Sequence, residues 1–93
     1  MSQHIVDALS VEHTVMVGYD RPLDNFFGTV FDGTLDGDVI HWCPGELTPE
    51  RMAENIAAFA IVPPALIAQL RDEQANRATH PTHKFVDHRT TQS

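Results

Sequence analysis

Residues 42–76, WCPGELTPERMAENIAAFAIVPPALIAQLRDEQAN, decide the fold of this chain, because they contain two helices with clear start signals. Thr48 followed by Pro49 is typical of a helix start, with threonine as the N-cap and proline at the first helical position. The run Val62-Pro63-Pro64 interrupts the helical pattern, and Pro64 can begin a second helix. These signals predict one helix over residues 49–60 and another over residues 64–78.

Each predicted helix has one apolar face at the helical period. The apolar positions are Met52, Ile56, Phe59 and Ala60 in the first helix and Leu66, Ile67 and Leu70 in the second. The polar run Arg71-Asp72-Glu73-Gln74 follows the apolar part of the second helix, and we expect its side chains to be solvated.

The segments before Trp42 predict strands instead of helices. Residues 12–19, 26–31 and 39–43 are rich in β-branched and aromatic residues. Asp32-Gly33 and Asp36-Gly37 lie between the second and third of these segments, and either pair can make a tight hairpin turn. Residues 2–10 are compatible with a helical turn or with an extended arm.

The predicted fold is therefore α+β, a three-stranded antiparallel β-meander followed by two α-helices, in the order β-β-β-α-α. We expect a single domain over residues 1–78. Residues 79–93 lose the helical pattern, and we interpret them as a flexible C-terminal tail.

The predicted strands carry apolar residues on both faces, whereas a solvated antiparallel sheet carries polar residues on one face. Two helices can cover only one face of a small sheet. The second face predicts self-association, since most oligomers are symmetric homodimers. The alternative is that the N-terminal arm or the tail folds back over this face.

The formal net charge of −7 is concentrated in the first part of the chain, where residues 1–54 contain ten acids and only two arginines. Phosphate contacts require lysine and arginine, so this part of the chain is not expected to bind nucleic acid directly. It is compatible with a basic protein partner or with a role in solubility alone. The apolar run at residues 56–70 is too short and too interrupted to cross a membrane.

No cofactor or functional metal is expected. His80, His83 and His88 lie in the predicted tail, which offers nothing to orient them as ligands. The loop from Asp32 to Gly37 has some of the spacing of a calcium loop, but Cys43 stands where the bidentate acid is needed.

The single cysteine excludes a disulfide within the chain, and the first residues have neither the basic nor the apolar region of a secretory signal. We therefore expect a soluble cytoplasmic protein.

Two sets of residues are candidates for binding. The first set lies at predicted strand ends and loops, where binding sites usually form, and comprises Tyr19, Asp20, Arg21, Trp42 and Glu46. The second is a pocket between the sheet and the helices, near His41, Cys43 and Glu46.

The first functional hypothesis is a non-enzymatic protein that acts through protein–protein interaction, as a homodimer, an accessory subunit or an inhibitor of a basic partner. The inhibitor version requires the loop acids to form one ridge that imitates phosphate charge; these are Asp20, Asp24, Asp32, Asp36 and Asp38. The alternative is a small ligand-binding domain or enzyme that uses the pocket near His41 and Cys43.

Overall fold

A computed structural model of the chain describes residues 2–76 and 84–89. It contains a five-stranded sheet and two helices. The strands are β1 (Ser2–Val6), β2 (His13–Asp20), β3 (Asn25–Asp32), β4 (Val39–Glu46) and β5 (Lys84–Asp87), and the helices are α1 (Pro49–Asn55) and α2 (Pro64–Ala75). The strand order is β4-β3-β2-β1-β5. Neighbouring strands are antiparallel except for β1 and β5, which are parallel.

The predicted three-stranded meander is wrong, although the α+β class is correct. The three predicted strands are present as β2, β3 and β4, but β1 and β5 extend the sheet beyond β2. The prediction of a flexible tail is wrong for Lys84–Asp87, which pair with β1. The remainder of the predicted tail, at residues 79–83 and 90–93, lies outside the described residues.

Helix α1 begins where the sequence predicts but ends earlier. The Thr48 side chain accepts a hydrogen bond from the Arg51 backbone N–H at 3.2 Å, which is the N-cap that the Thr-Pro pair predicts. Regular helix stops at Asn55, and the chain continues through turns to Ala60. Those turns still place Ile56 and Ala60 in the core, so the predicted apolar face is buried even though part of it is not helical.

The β3–β4 connection uses both Asp-Gly pairs in one loop. The Asp32 N–H donates to the Asp38 carbonyl at 2.7 Å and closes the loop, while the Gly37 N–H donates to the Thr34 carbonyl at 2.8 Å. Gly33 has a φ of 81°, a conformation that favours glycine. The hairpin is therefore wider than the two-residue turn that either Asp-Gly pair alone would make.

Both helices pack on the same face of the sheet. The core is formed by inward strand residues and by apolar residues of the helices and their connections, chiefly Val15, Val17, Phe26, Val30, Cys43, Met52, Ile56, Leu66 and Leu70. Gly28 lies on the inward face of β3, and a Cβ atom there would come within 3.0 Å of Ile56 Cγ2. The missing side chain lets the end of α1 approach the sheet closely.

Candidate functional site

The sheet face opposite the helices is apolar across β2, β3 and β4. Because strand residues alternate between faces, the neighbours of the core residues point away from the helices. Five of these outward residues form what we call the open face, namely Met16, Phe27, Phe31, Val39 and Trp42. Trp42 is 63% exposed and Val39 is 54% exposed, while the other three are half-buried. An apolar surface of this kind marks an interaction site more often than an ordinary monomer surface.

The described ends of the chain lie beside the open face and not over it. β1 pairs with β2 in the plane of the sheet, and β5 pairs with β1 in the same plane. The arm and the described part of the tail therefore widen the sheet. Within residues 2–76 and 84–89, both helices belong to the other layer, so neither covers Trp42.

The five loop acids do not form one ridge. Asp20 and Asp24 lie at or beside the β2–β3 turn, whereas Asp32, Asp36 and Asp38 lie at the β3–β4 turn. Since β3 runs for eight residues between these turns, the two groups stand at opposite ends of the sheet, roughly 25 Å apart at about 3.3 Å per residue. This arrangement does not favour the inhibitor that imitates phosphate charge.

The first set of predicted binding residues is divided between two places. Tyr19 is buried, and its hydroxyl donates to Asp24 at 2.6 Å beside the turn that holds Asp20 and Arg21. Its ring lies against Phe26, which pairs in register with Glu46. Glu46 Oε1 in turn lies 3.6 Å from Arg51 Nε.

Trp42 is separated from this end of the sheet and points to the opposite face, across from Thr29. The binding role of all five residues stays a prediction, but the geometry assigns only Trp42 to the open face.

The second predicted site does not contain a thiol–imidazole pair in hydrogen-bond contact. His41 Nε2 lies 2.7 Å from Asn55 Oδ1, and the imidazole ring stacks on Phe59. Cys43 is fully buried, and burial raises the pKa of its thiol above the ordinary value. A buried thiol that holds its proton is a poor nucleophile.

We expect alkylation of Cys43 by iodoacetamide at pH 7.5 to be at least about 100-fold slower in the folded protein than in 6 M urea, because only the exposed thiolate reacts. Mass spectrometry of quenched samples measures the two rates directly. A small unstructured peptide with one cysteine supplies the control for the effect of urea on the reagent. A folded-state rate close to the unfolded one would support the reactive pocket instead.

A cavity of about 520 Å³ lies at a different place, between the β1–β2 connection and the β3–β4 loop. Its polar lining residues are Asp7, Ser10, His13, Thr14, Thr34 and Arg89. The Arg89 guanidinium is already bound to the Asp87 carboxylate, and this contact lowers the pKa of Asp87 to about 2. Thr14 donates its hydroxyl to the Gly33 carbonyl. The Ser10 and Thr34 hydroxyls also accept hydrogen bonds, from the backbone N–H groups of Glu12 and Asp36. At least four of the polar lining groups are thus occupied by contacts within the protein.

A chain of buried polar side chains connects α2, β1 and the residue after β5. Glu73 Oε1 accepts from the Ser2 hydroxyl at 2.5 Å, and Glu73 Oε2 lies 2.9 Å from His4 Nε2. His4 Nδ1 lies 2.8 Å from His88 Nε2. The Ser2 oxygen also accepts from the Tyr19 backbone N–H at 3.0 Å. We call Ser2, Glu73, His4 and His88 the polar chain.

The expectation that residues 71–74 are solvated is wrong for Glu73, which is only 3% exposed. The signal was present in the sequence, since Leu66, Leu70 and Glu73 follow the i, i+4, i+7 spacing of one helix face. From the sequence alone, a carboxylate at the third of these positions is expected to face solvent, because the sequence does not reveal its buried hydrogen-bond partners. Those partners come from Ser2 and His4, about seventy residues earlier in the chain.

Among residues 2–76 and 84–89, no three histidine, cysteine or acidic side chains are grouped to hold an ion. His80 and His83, the other two histidines of the predicted tail, lie outside the described residues.

Comparison with protein-family models, with curated proteins and with solved structures gives no match. Neither of the two described helices has the length and apolar character needed to cross a lipid bilayer.

Proposed function

We propose that this protein is a non-enzymatic interaction module that forms a symmetric homodimer through the open face. The observation that carries the proposal is the exposure of Trp42 and Val39 on an apolar sheet face that neither helix covers. In this arrangement the helices of the two copies lie on the outside, and the two sheets form the central layers. Two stacked sheets with side chains between them are a common protein architecture. The single buried cysteine fits a cytoplasmic location for this dimer.

A second copy suits the open face better than a basic partner does. The five residues of the open face are all uncharged, and the acids lie at its two ends. A basic partner would need acids within the contact area. Two copies with a net charge of −7 repel each other, so they associate most easily through an uncharged surface.

The size of the open face indicates a reversible dimer. Three strands of eight residues, spaced about 4.8 Å apart with a rise of about 3.3 Å per residue, project an area of roughly 400 Å² per copy. Protruding side chains such as Trp42 raise the buried total to about 1,000 Å², which is near the lower limit for a specific interface. We therefore expect the mass to depend on protein concentration.

Pairing through the edge of β4 is less favourable than contact through the face. The pairing of β4 with β3 is interrupted by register shifts on both sides of the regular segment. β4 also contains Pro44, which lacks a backbone N–H. Bulges and prolines reduce the ability of an edge strand to accept another strand.

Sedimentation velocity from about 5 µM to 1 mM tests the proposal, at concentrations chosen for a weak interface. We expect the average mass in solution to rise with concentration, from the mass of one chain toward the mass of two chains. Trp42→Glu should weaken the dimer at least about 30-fold, because a buried tryptophan at an interface centre commonly contributes 2 kcal/mol or more. Fluorescence gives a second signal, since Trp42 is the only tryptophan and should shift to shorter wavelength as the dimer forms.

Ile61→Glu is the matched control. Ile61 is 71% exposed and lies in the connection between the two helices, on the other side of the molecule from the open face. The Ile61→Glu substitution adds the same charge at an exposed apolar position and should leave the dimer intact. A wild-type protein that stays monomeric at 1 mM, or equal dimerisation by the wild type and Trp42→Glu, would contradict the proposal.

A further inference from the structure

The polar chain connects the end of β5 to the core through the contact between His4 and His88. This contact can form only when the two imidazole rings together carry few enough protons, so it depends on pH. We propose that the His4–His88 contact is a proton-operated latch that holds β5 at neutral pH and releases it in mild acid. This latch is separate from the open face and does not depend on dimerisation.

The contact between the histidines requires one unprotonated nitrogen. His4 Nε2–H donates a hydrogen bond to the Glu73 carboxylate. Only His4 Nδ1 is then available for His88. When both rings are neutral, His88 Nε2–H donates to His4 Nδ1. When the pair takes up one proton, a single hydrogen still lies between His4 Nδ1 and His88 Nε2, so the contact is retained.

A second proton cannot be accommodated in this geometry. His4 Nδ1 and His88 Nε2 would then both carry hydrogen at a separation of 2.8 Å, with no acceptor between them. The two rings, whose centres are 5.0 Å apart, would also both be cations. Like charges at this distance repel, and repulsion is strongest where water is excluded.

His88 is the group that can move. His4 is fully buried in β1, and Glu73 is buried on α2, whereas His88 is half-buried and follows the last residue of β5. The four-residue β5 is the outermost strand of the described sheet next to β1. Its continuation is held by the His88 N–H, which donates to the Ile5 carbonyl at 2.8 Å. Rotation of His88 into water therefore loosens the end of β5 and leaves the core in place.

The other charged groups around the latch do not reproduce this response. On the C-terminal segment, the bond to Arg89 lowers the pKa of Asp87 to about 2, so Asp87 stays ionised throughout mild acid. On β2, the Tyr19 hydroxyl donates to Asp24. Asp7 follows β1 and attracts Arg89, which keeps its charge at every pH considered.

The direction of the pH effect follows from proton counting. A histidine released into water takes up a proton near pH 6.5. The latched pair holds at most one added proton, so in mild acid the released pair can hold one proton more than the latched pair. The released form therefore binds more protons, and the latched form loses up to about tenfold in population for each pH unit below about 6. The latched form is favoured as the pH rises through this range.

Nitrogen-15 NMR of the whole chain between pH 7.5 and 4.8 tests the latch. We expect the amide signals of Phe85 to His88 to move to positions typical of unstructured chain as the pH falls, while those of β2 and β3 stay folded. The ring nitrogens of His88 should become fully protonated in the same pH range. Amide signals of β5 that remain folded after both rings are doubly protonated would overturn the proposal.

His88→Gln provides the test by substitution. Its amide can donate to His4 Nδ1 but takes up no proton in this range, so β5 should remain folded at pH 4.8. His13→Gln and His41→Gln are the controls, because these histidines lie outside the polar chain, and both variants should release β5 as the wild type does. Release of β5 by His88→Gln at the wild-type pH would also overturn the latch. If this variant does not fold, the wild-type ring signals alone decide.

Discussion

Glu73→Ala is expected to lower the free energy of unfolding by about 3–5 kcal/mol, because it removes the acceptor for two buried donors at once. The Ser2 hydroxyl and His4 Nε2–H both lose their partner, and water cannot easily reach His4, which is fully buried. A domain of this size has a total stability of roughly 5–14 kcal/mol. Urea denaturation followed by circular dichroism should therefore show a large fall in the midpoint.

Two comparisons separate the loss of the acceptor from the loss of a charge. Glu73→Gln keeps one amide oxygen for His4 or Ser2 and should cost about 1–3 kcal/mol, less than the alanine variant. Glu54→Ala removes an exposed glutamate from α1 and should change stability by less than about 0.5 kcal/mol. A result in which Glu73→Ala resembles Glu54→Ala would mean that the polar chain does not stabilise the fold.

The polar chain also explains why the sequence predicts only three neighbouring strands of the sheet, β2, β3 and β4. β2, β3 and β4 contain long runs of β-branched and aromatic residues, and their hairpins bring neighbours in the chain together. β1 is different, because its inward positions include Ser2 and His4, which interrupt the apolar alternation that identifies a half-buried strand. Glu73 stabilises both residues in their buried positions by hydrogen-bonding to each of them.

β5 could not be found from local pattern. It has four residues, two of them charged, and its parallel pairing with β1 joins segments about eighty residues apart. Strand propensity depends strongly on context, and nothing in the sequence near Lys84–Asp87 supplies that context. The error in the fold and the absence of the polar chain from the predicted sites thus have one cause, a contact between the two ends of the chain.

A second apolar face of the sheet could be predicted from the sequence. Alternation in β2, β3 and β4 indicates a second apolar face, and the two described helices lie on one side only. The sequence could not show whether the arm or the tail would cover the second face. The structure places the described parts of both in the plane of the sheet, which depends on backbone pairing and not on side-chain hydrophobicity.

Ile56→Ala is expected to lower the free energy of unfolding by about 2–5 kcal/mol, because Ile56 is fully buried where α1 ends against the sheet. Ile61→Ala is the matched control, with the same chemical change at an exposed position, and should cost less than about 0.5 kcal/mol. Urea denaturation of both variants under one condition measures the difference. Similar losses in the two would contradict the packing of Ile56 on the sheet.

The contact between Ile56 and Gly28 allows a second, more specific test of the packing of Ile56 on the sheet. Gly28→Ala alone should cost about 1–3 kcal/mol, because its Cβ would lie 3.0 Å from Ile56 Cγ2 and force one of the two to move. In the Ile56→Ala background that methyl group is gone, so the same Cβ enters space that the isoleucine has left. The cost of Gly28→Ala should then fall to near zero or reverse in sign.

A coupling of at least about 1 kcal/mol in this double-mutant cycle is the expected result. If Gly28→Ala had the same cost in both backgrounds, the glycine would be required by the strand backbone and not by α1. The coupling would show that one missing side chain on β3 sets the distance between the helical layer and the sheet. That distance determines how closely the two helices pack on the inner face of the sheet.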